Sequence, residues 1–338
     1  MKKILFVLVS AIACKALQAQ DPHFSQFFSS PMTLNPAYTG KFDGTFRVAG
    51  NYRNQWPTIN NAYRTATASV DFGILQNNIP IFDTWGIGIM AMNDQSADKI
   101  LNNNYIALST AYHKTLDENG FHTIGVGFQG TYANKRLDIT RAKFEDMLRA
   151  DGFTGTTAED FSNNTRNVVI DYFDMNAGVL YSGSTNENNN FYLGVSSYHV
   201  NRPRESFMGG NYTLNSRLTV HGGGYFPVAY NTTFHTSFIH QRQAGATETV
   251  LGGAFDFNLS EDEDLAAHLY VGGWYRFKDA FIPYVGIEFA GIRIGYSYDI
   301  NSSSLSTASN RRGGNEISLI YIKKPSDPSR KKLNCPKF

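Results

Sequence analysis

The chain lacks most of the features that mark soluble enzymes. Its 338 residues hold two cysteines, and Cys14 falls inside an expected export leader. Cys335 is then the single thiol of the exported chain, which leaves no internal disulfide. Charge of one sign is also missing: 30 Lys and Arg against 29 Asp and Glu give a net charge of +1. Such a balance offers no basic footprint for nucleic acid. Beyond residue 20 no apolar run approaches the roughly 18 residues a membrane helix needs, so a helical membrane protein is excluded. Helical periodicity is scarce throughout.

Catalytic and cofactor signatures are equally thin. The eight His residues lie without metal-ligand spacing, and no H-E-x-x-H, C-x-x-C or nucleophile elbow occurs. No enzymatic activity, metal or other cofactor is therefore expected. Gly125-Val126-Gly127-Phe128-Gln129-Gly130 fits G-x-G-x-x-G but sits inside an alternating strand pattern, without the following helix a dinucleotide site requires. Ser260-Glu261-Asp262-Glu263-Asp264 is acidic, yet it lacks the ligand spacing and glycine of a calcium loop.

What the chain does have is aromatic and small residues: 25 Phe, 19 Tyr and 30 Gly, too apolar and aromatic a mixture for disorder. Lys2 and Lys3, an apolar stretch from Ile4 to Ala13, and Ala16-Leu17-Gln18-Ala19 read as a signal peptide over 1–19, cleaved before Gln20. Cys14, preceded by Ala11-Ile12-Ala13, offers a competing lipoprotein reading, but Ala11 stands where such sites usually carry Leu.

From about residue 44 to 322 the dominant period is two, the signature of strands with one apolar and one polar or small face. In 292–300 every even position is aliphatic or aromatic, while the odd ones are Arg293, Gly295, Ser297 and Asp299. Phe46, Val48 and Tyr52 alternate with Arg47, Asn51 and Arg53 in the same way. Fourteen such runs stand between turn clusters, near 45–55, 64–74, 84–93, 104–113, 121–132, 167–181, 190–199, 214–226, 231–241, 247–259, 265–277, 281–289, 292–300 and 314–322. Most are long enough for a tilted strand to cross a hydrocarbon layer, which takes about 9–11 residues. An even number of long strands, with small polar residues on one face and aromatics on the other, points to an all-β, transmembrane antiparallel barrel of about 14 strands in an outer membrane. A soluble β-sandwich would instead carry many Lys and Glu on its polar face.

With the N-terminus periplasmic, loops after odd strands face outward, among them 133–166 and 301–313. Within the first, 139–150 reads as a short helix with Phe144, Met147 and Leu148 on one face. If Ala290-Gly291 is a two-residue turn, Glu288 and Arg293 form a cross-strand ion pair in the lumen. By the same parity a three-residue turn at 278–280 pairs Phe277 with Phe281 outside. Arg47, Arg53, Asp71, His268, Arg276, Glu288, Arg293, Asp299 and Glu316 fall on the inner face, and their mixed signs argue against a strongly ion-selective pore.

The two ends differ from the barrel. Segment 20–43 is too Pro-rich for a strand and too aromatic for a free tail, so it needs a surface to bury against. A barrel of this size leaves room for a plug, with His23, Phe24, Phe27, Phe28, Asn35 and Pro36 as candidate plug residues; a strap under the rim is the alternative. The tail 323–338 carries six Lys or Arg and three Pro, an extended basic arm suited to a periplasmic partner. Lys331, Lys332, Cys335, Pro336, Lys337 and Phe338 are the candidate contact residues.

Gln20-Asp21-Pro22-His23-Phe24-Ser25-Gln26-Phe27, then Leu34-Asn35-Pro36-Ala37-Tyr38-Thr39-Gly40, resemble the mature N-terminus of the PorP/SprF family of outer-membrane proteins in type IX secretion. Tyr52-Arg53-Asn54-Gln55-Trp56-Pro57, Tyr172-Phe173-Asp174-Met175-Asn176-Ala177-Gly178, Ser197-Tyr198-His199-Val200-Asn201-Arg202-Pro203, 293–299 and the terminal Cys335-Pro336-Lys337-Phe338 extend the similarity over essentially the whole exported chain. The resemblance implies a non-enzymatic barrel in the bacterial outer membrane that helps export or surface attachment of secreted adhesins, in some members gliding-motility adhesins. It also implies contact with periplasmic, peptidoglycan-linked type IX components. The alternative on the same architecture is an outer-membrane channel or hydrophobic-solute transporter.

Overall fold

The computed structural model describes residues 20–59, 62–74, 80, 82–158, 167–186, 188–207, 211–260, 266–324 and 335–336. The expected leader, the acidic run 261–264 and most of the basic tail lie outside the described residues. Fourteen strands follow in chain order: β1 (Phe46–Gln55), β2 (Tyr63–Ile74), β3 (Thr84–Ser96), β4 (Leu101–Thr115), β5 (Thr123–Asp138), β6 (Asn167–Gly183), β7 (Asn190–Tyr198), β8 (Arg217–Ala229), β9 (Thr232–Gln243), β10 (Ala246–Asn258), β11 (Ala267–Arg276), β12 (Ala280–Phe289), β13 (Ile292–Asn301) and β14 (Arg312–Lys323). Each pairs antiparallel with its sequence neighbours, and β1 pairs with β14, so the sheet closes. Closure leaves a long-stranded sheet without an exposed edge, as lipid demands. No described helix is long and apolar enough to cross a membrane, so spanning falls to the strands.

The alternation sorts side chains by face. Arg47, Asn51, Arg53, Asp71, Ser297, Asp299 and Glu316 are buried inside, whereas Tyr52, Leu108, Phe128, Phe173, Ile287 and Ile294 are exposed on the outer wall. Both termini of the barrel, at Phe46 and Lys323, lie at one end, here the near end. The described parts of the connections between β5 and β6, β7 and β8, and β13 and β14 are at the opposite, far end.

Three register details test the pattern. Ala290 and Gly291 both have positive φ, 49° and 78°, as a type I′ turn requires, and Glu288 faces Arg293 while Phe289 faces Ile292. The neighbouring hairpin departs from expectation. Its turn is 277–279, so Phe281 stands opposite Tyr275 and not Phe277. The slip is two residues, which preserves parity: Phe277 and Phe281 are both still exposed. The helix expected over 139–150 is absent; the stretch forms turns and a single 3-10 turn at Glu145–Met147. Leu148 is 53% exposed there, and helices this short are unstable without a fully packed apolar face.

Candidate functional site: a segment through the lumen

Residues 20–45 run through the lumen from the far end to the near end. They form no strand. Three short helical turns, Phe27–Ser29, Pro31–Leu34 and Pro36–Tyr38, use Pro31 and Pro36 at their first positions, where a missing N–H costs nothing.

At the far end Asp21 is clamped. Its N–H donates to Gln243 Oε1 (2.8 Å), and its carboxylate meets His199 Nε2 at 2.7 Å and Arg217 Nη1 at 3.3 Å. His199 follows the last residue of β7, and its other ring nitrogen lies 2.9 Å from Asp174. Burial alone would depress the His199 pKa, but the two carboxylates outweigh it and hold it up at about 9. Burial would likewise raise Asp21, yet the cations of His199 and Arg217 keep it well below the usual carboxylate range. The clamp is therefore charged on both sides at neutral pH.

Two residues further, His23 contacts Glu248 at 3.1 Å. Ser25 and Gln26 then enter a buried acid–arginine network. Ser25 N–H donates to Glu316 (2.7 Å), its hydroxyl donates to Asp299 (2.7 Å), and Arg276 donates to that same hydroxyl. Asp299 also binds Arg53 (2.8 Å) and Arg276 (2.9 Å). Gln26 donates to the Glu316 carbonyl (2.9 Å) and accepts from Ser318 (2.6 Å). Asp299 is thus paired with two guanidiniums, while the Glu316 carboxylate is held by hydrogen bonds from Ser25, Gln26 and Asn51.

The middle of the segment is held by shape. Phe28 packs against Trp274 with ring centroids 4.6 Å apart, and edge-on to Tyr284. Asn35 is fully buried, donates to the Val179 carbonyl (3.1 Å) and contacts His221 (3.0 Å). Its amide occupies the gap that a side chain at Gly178 would fill. Pro36 and Ala37 press their backbone onto Gly127, where an added Cβ would overlap Ala37 N. The G-x-G-x-x-G stretch is thus a seat for the segment, not a nucleotide loop.

Towards the near end Thr39 and Ser109 share a hydroxyl contact of 2.6 Å, and Gly40 N–H donates to Asp71 (2.8 Å). Arg47 binds the same Asp71 (2.8 Å) and the Tyr38 carbonyl (3.0 Å). Lys41 Nζ donates to Thr123 (2.8 Å). Phe24, Phe27 and Phe28 are each buried to within 6% exposure. Burying each such ring contributes about 1.5–3 kcal/mol.

Every candidate residue of the segment therefore meets the wall: His23 and Phe24 on the far side, Phe27 and Phe28 centrally, Asn35 and Pro36 in the glycine-lined seat. The pair Glu288–Arg293 closes at 2.7 Å, with Arg293 also stacked over Tyr270 at 4.3 Å. Of the tail candidates, Lys331, Lys332, Lys337 and Phe338 lie outside the described residues. Cys335 and Pro336 lie at the near-end mouth of the lumen, Cys335 buried. Sequence reasoning missed Asp21, Ser25, Gln26, Thr39, His199 and Arg217 as anchors. Lumen-facing Gly127 and Gly178 were the available signal, since a wall that only lines water has no need to omit side chains there.

Among solved structures, the toluene transporter TbuX of Ralstonia pickettii is 10% identical, with a TM-score of 0.53, over 88% of this chain and 93% of its own. A deletion mutant of the monoaromatic hydrocarbon channel TodX is 8% identical, with a TM-score of 0.50, over 86% and 93%. At such identities the likeness concerns the fold alone, that of an outer-membrane barrel. No curated protein matches the chain. The family model described as type IX secretion system membrane protein PorP/SprF matches residues 16–321, nearly the whole chain. With its closed barrel of lipid-facing strands, the chain belongs to the PorP/SprF family of type IX secretion membrane proteins and resides in the outer membrane.

Proposed function

We propose that the protein is a non-enzymatic, plugged barrel that supports export or cell-surface attachment of adhesins, gliding-motility adhesins among them. On this reading the near end is periplasmic and the signal peptide 1–19 is removed. The far-end loops then face the secreted partner, and the basic tail 323–338 reaches peptidoglycan-linked components. The observation that carries the reading is the occupied lumen: residues 21–41 bond to the wall from one end to the other, leaving little for a diffusing solute. A hydrophobic-solute transporter would need a route that this segment obstructs.

The test is deletion of the chain in its native bacterium. Loss of surface adhesin with unchanged permeability to small and hydrophobic solutes is expected. Retained adhesin together with slower uptake of a hydrophobic solute would favour transport instead.

A further inference from the structure

The rim of the closed sheet is not level at the far end. β6 pairs with β7 only from Ala177 to Gly183, so residues 167–176 of β6 run on beyond the last paired residue of β7, while β5 accompanies them throughout. The chain that follows β7 closes the first part of this step. Val200 N–H donates to the Met175 carbonyl (2.9 Å), and the Asn201 side chain accepts from Met175 N–H (3.0 Å) and donates to the Phe173 carbonyl (2.8 Å). These bonds fix the facing of the strand: odd residues of β6 aim their N–H and C=O groups at this edge, and even residues aim theirs at β5. Phe173 N–H and both backbone groups of Asp171 and Val169 therefore point away from the sheet, and among the described residues none of these groups has a partner.

This stretch of edge stands beyond the lipid. Outward side chains turn from apolar to polar where Tyr132 donates to Asp171 (2.8 Å), with Asn134 and the exposed Arg136 following on β5. The described part of the connection between β7 and β8 bends over the lumen instead of along the edge. Its Leu214 is buried against Ala133 and Tyr172, and its Glu205 binds Lys135 at 2.6 Å, all on the inner face. Natural edges are blunted with lysine, proline or a bulge, and 167–173, which includes Val168, Val169, Ile170 and Tyr172, has none of these.

We propose that the free edge of β6 over 169–173 is a docking strand, which an extended segment of the secreted protein joins antiparallel, adding one strand to the sheet. Main-chain hydrogen bonds to Val169, Asp171 and Phe173 hold the segment. The exposed Arg136, opposite Val169, and the exposed Arg202, next to Asn201, stand at the two ends of the edge, so the complementary strand alternates apolar residues and carries acidic residues at its ends. A second copy of the chain does not fit. Two copies in one membrane point the same way, so their β6 edges meet in parallel across a two-fold axis, which sets N–H against N–H and C=O against C=O. For the identity of its partner the inference rests on the adhesin reading and its outward far end.

The experiment takes the full chain in detergent micelles and, as probe, a short synthetic peptide of alternating Val and Thr with Glu at each end. Amide hydrogens of Val169, Asp171 and Phe173 are expected to exchange about ten times faster than those of Ile170 and Tyr172. The peptide, at up to about 1 mM, should slow them. Val169→Pro with Asp171→Pro removes two edge N–H groups and none of the β5 ladder, so it should abolish peptide binding at unchanged heat-modifiable gel mobility; Val169→Ala should not. Slow exchange without peptide would mean that the chain covers its own edge, and an open edge that binds no peptide is no docking strand; either overturns the proposal. In the native bacterium the double proline variant should lose most surface adhesin while its barrel stays in the outer membrane. Adhesin kept by this variant but lost on deletion of the chain would overturn the docking strand and leave the adhesin reading standing. Adhesin unaffected by deletion would overturn that reading and, with it, the secreted protein as the partner.

Discussion

Between Asp21 and Gln26 the N-terminal segment is tied to the wall by charge, whereas between Phe27 and Lys41 it is tied by shape. The first stretch meets His199, Arg217, Arg276, Asp299 and Glu316. The second meets Trp274, Gly178, Gly127 and Ser109. The two modes fail differently. Removing one member of a buried ion network strands its partners in a low-dielectric interior, while adding one carbon to a tight backbone contact displaces whatever was seated there.

The largest effect is expected from Asp299→Asn. It leaves Arg53 and Arg276 without the carboxylate they share, and breaking such buried pairs costs about 3–5 kcal/mol. Urea unfolding of the purified barrel measures it, and a change below about 1 kcal/mol would mean that charge does not dominate this end. Gly127→Val comes next, with an overpacking cost of about 1–3 kcal/mol and a segment that becomes open to protease between residues 27 and 41. Gly50→Ala, where the nearest atom to the added carbon is 3.5 Å away, should change neither and so isolates the effect of the seat.

A smaller response is expected from pH. Because the folded His199 pKa is raised to about 9, its stabilising charge is fully present below the ordinary histidine pKa of about 6.5 and is lost as pH climbs through 9. A spin label at Gln20→Cys, in a Cys335→Ser background, should gain mobility between pH 7 and 10, while one at the exposed Glu118→Cys, on the turn between β4 and β5, should not. The smallest effect belongs to Glu288 and Arg293. Their double-mutant cycle should give a coupling of at most about 1 kcal/mol, the range of cross-strand ion pairs.

The wall was legible in the sequence because its information is local. A period of two assigns each residue to lipid or lumen without knowledge of its partners, and Ala290-Gly291 fixes one register outright. Where a turn admits two placements of equal parity, as at 277–279, the pattern cannot choose between them, and the slip of two residues followed. The 139–150 stretch differs for a related reason: Phe144, Met147 and Leu148 have helical spacing, but spacing alone does not stabilise so short a helix.

The segment's path was not legible, because nothing periodic encodes it. Asn35 is placed by Gly178 on a strand some 140 positions away, and Asp21 by a histidine, His199, that lies just past the end of β7. Composition announced only that the segment had to be buried. The lumen charges were recognisable one by one, yet their grouping around Ser25 and Gln26 depends on which strands the closure of β1 onto β14 brings together.

The most direct test of the occupied lumen is a disulfide trap between its two walls of contact. Thr39→Cys and Ser109→Cys, combined in a Cys335→Ser background, replace hydroxyls that stand 2.6 Å apart. The account predicts that the two thiols join in nearly every folded molecule, binding the segment covalently to β4. Two thiols that stay free under mild oxidation, in a barrel with native gel mobility, would contradict it.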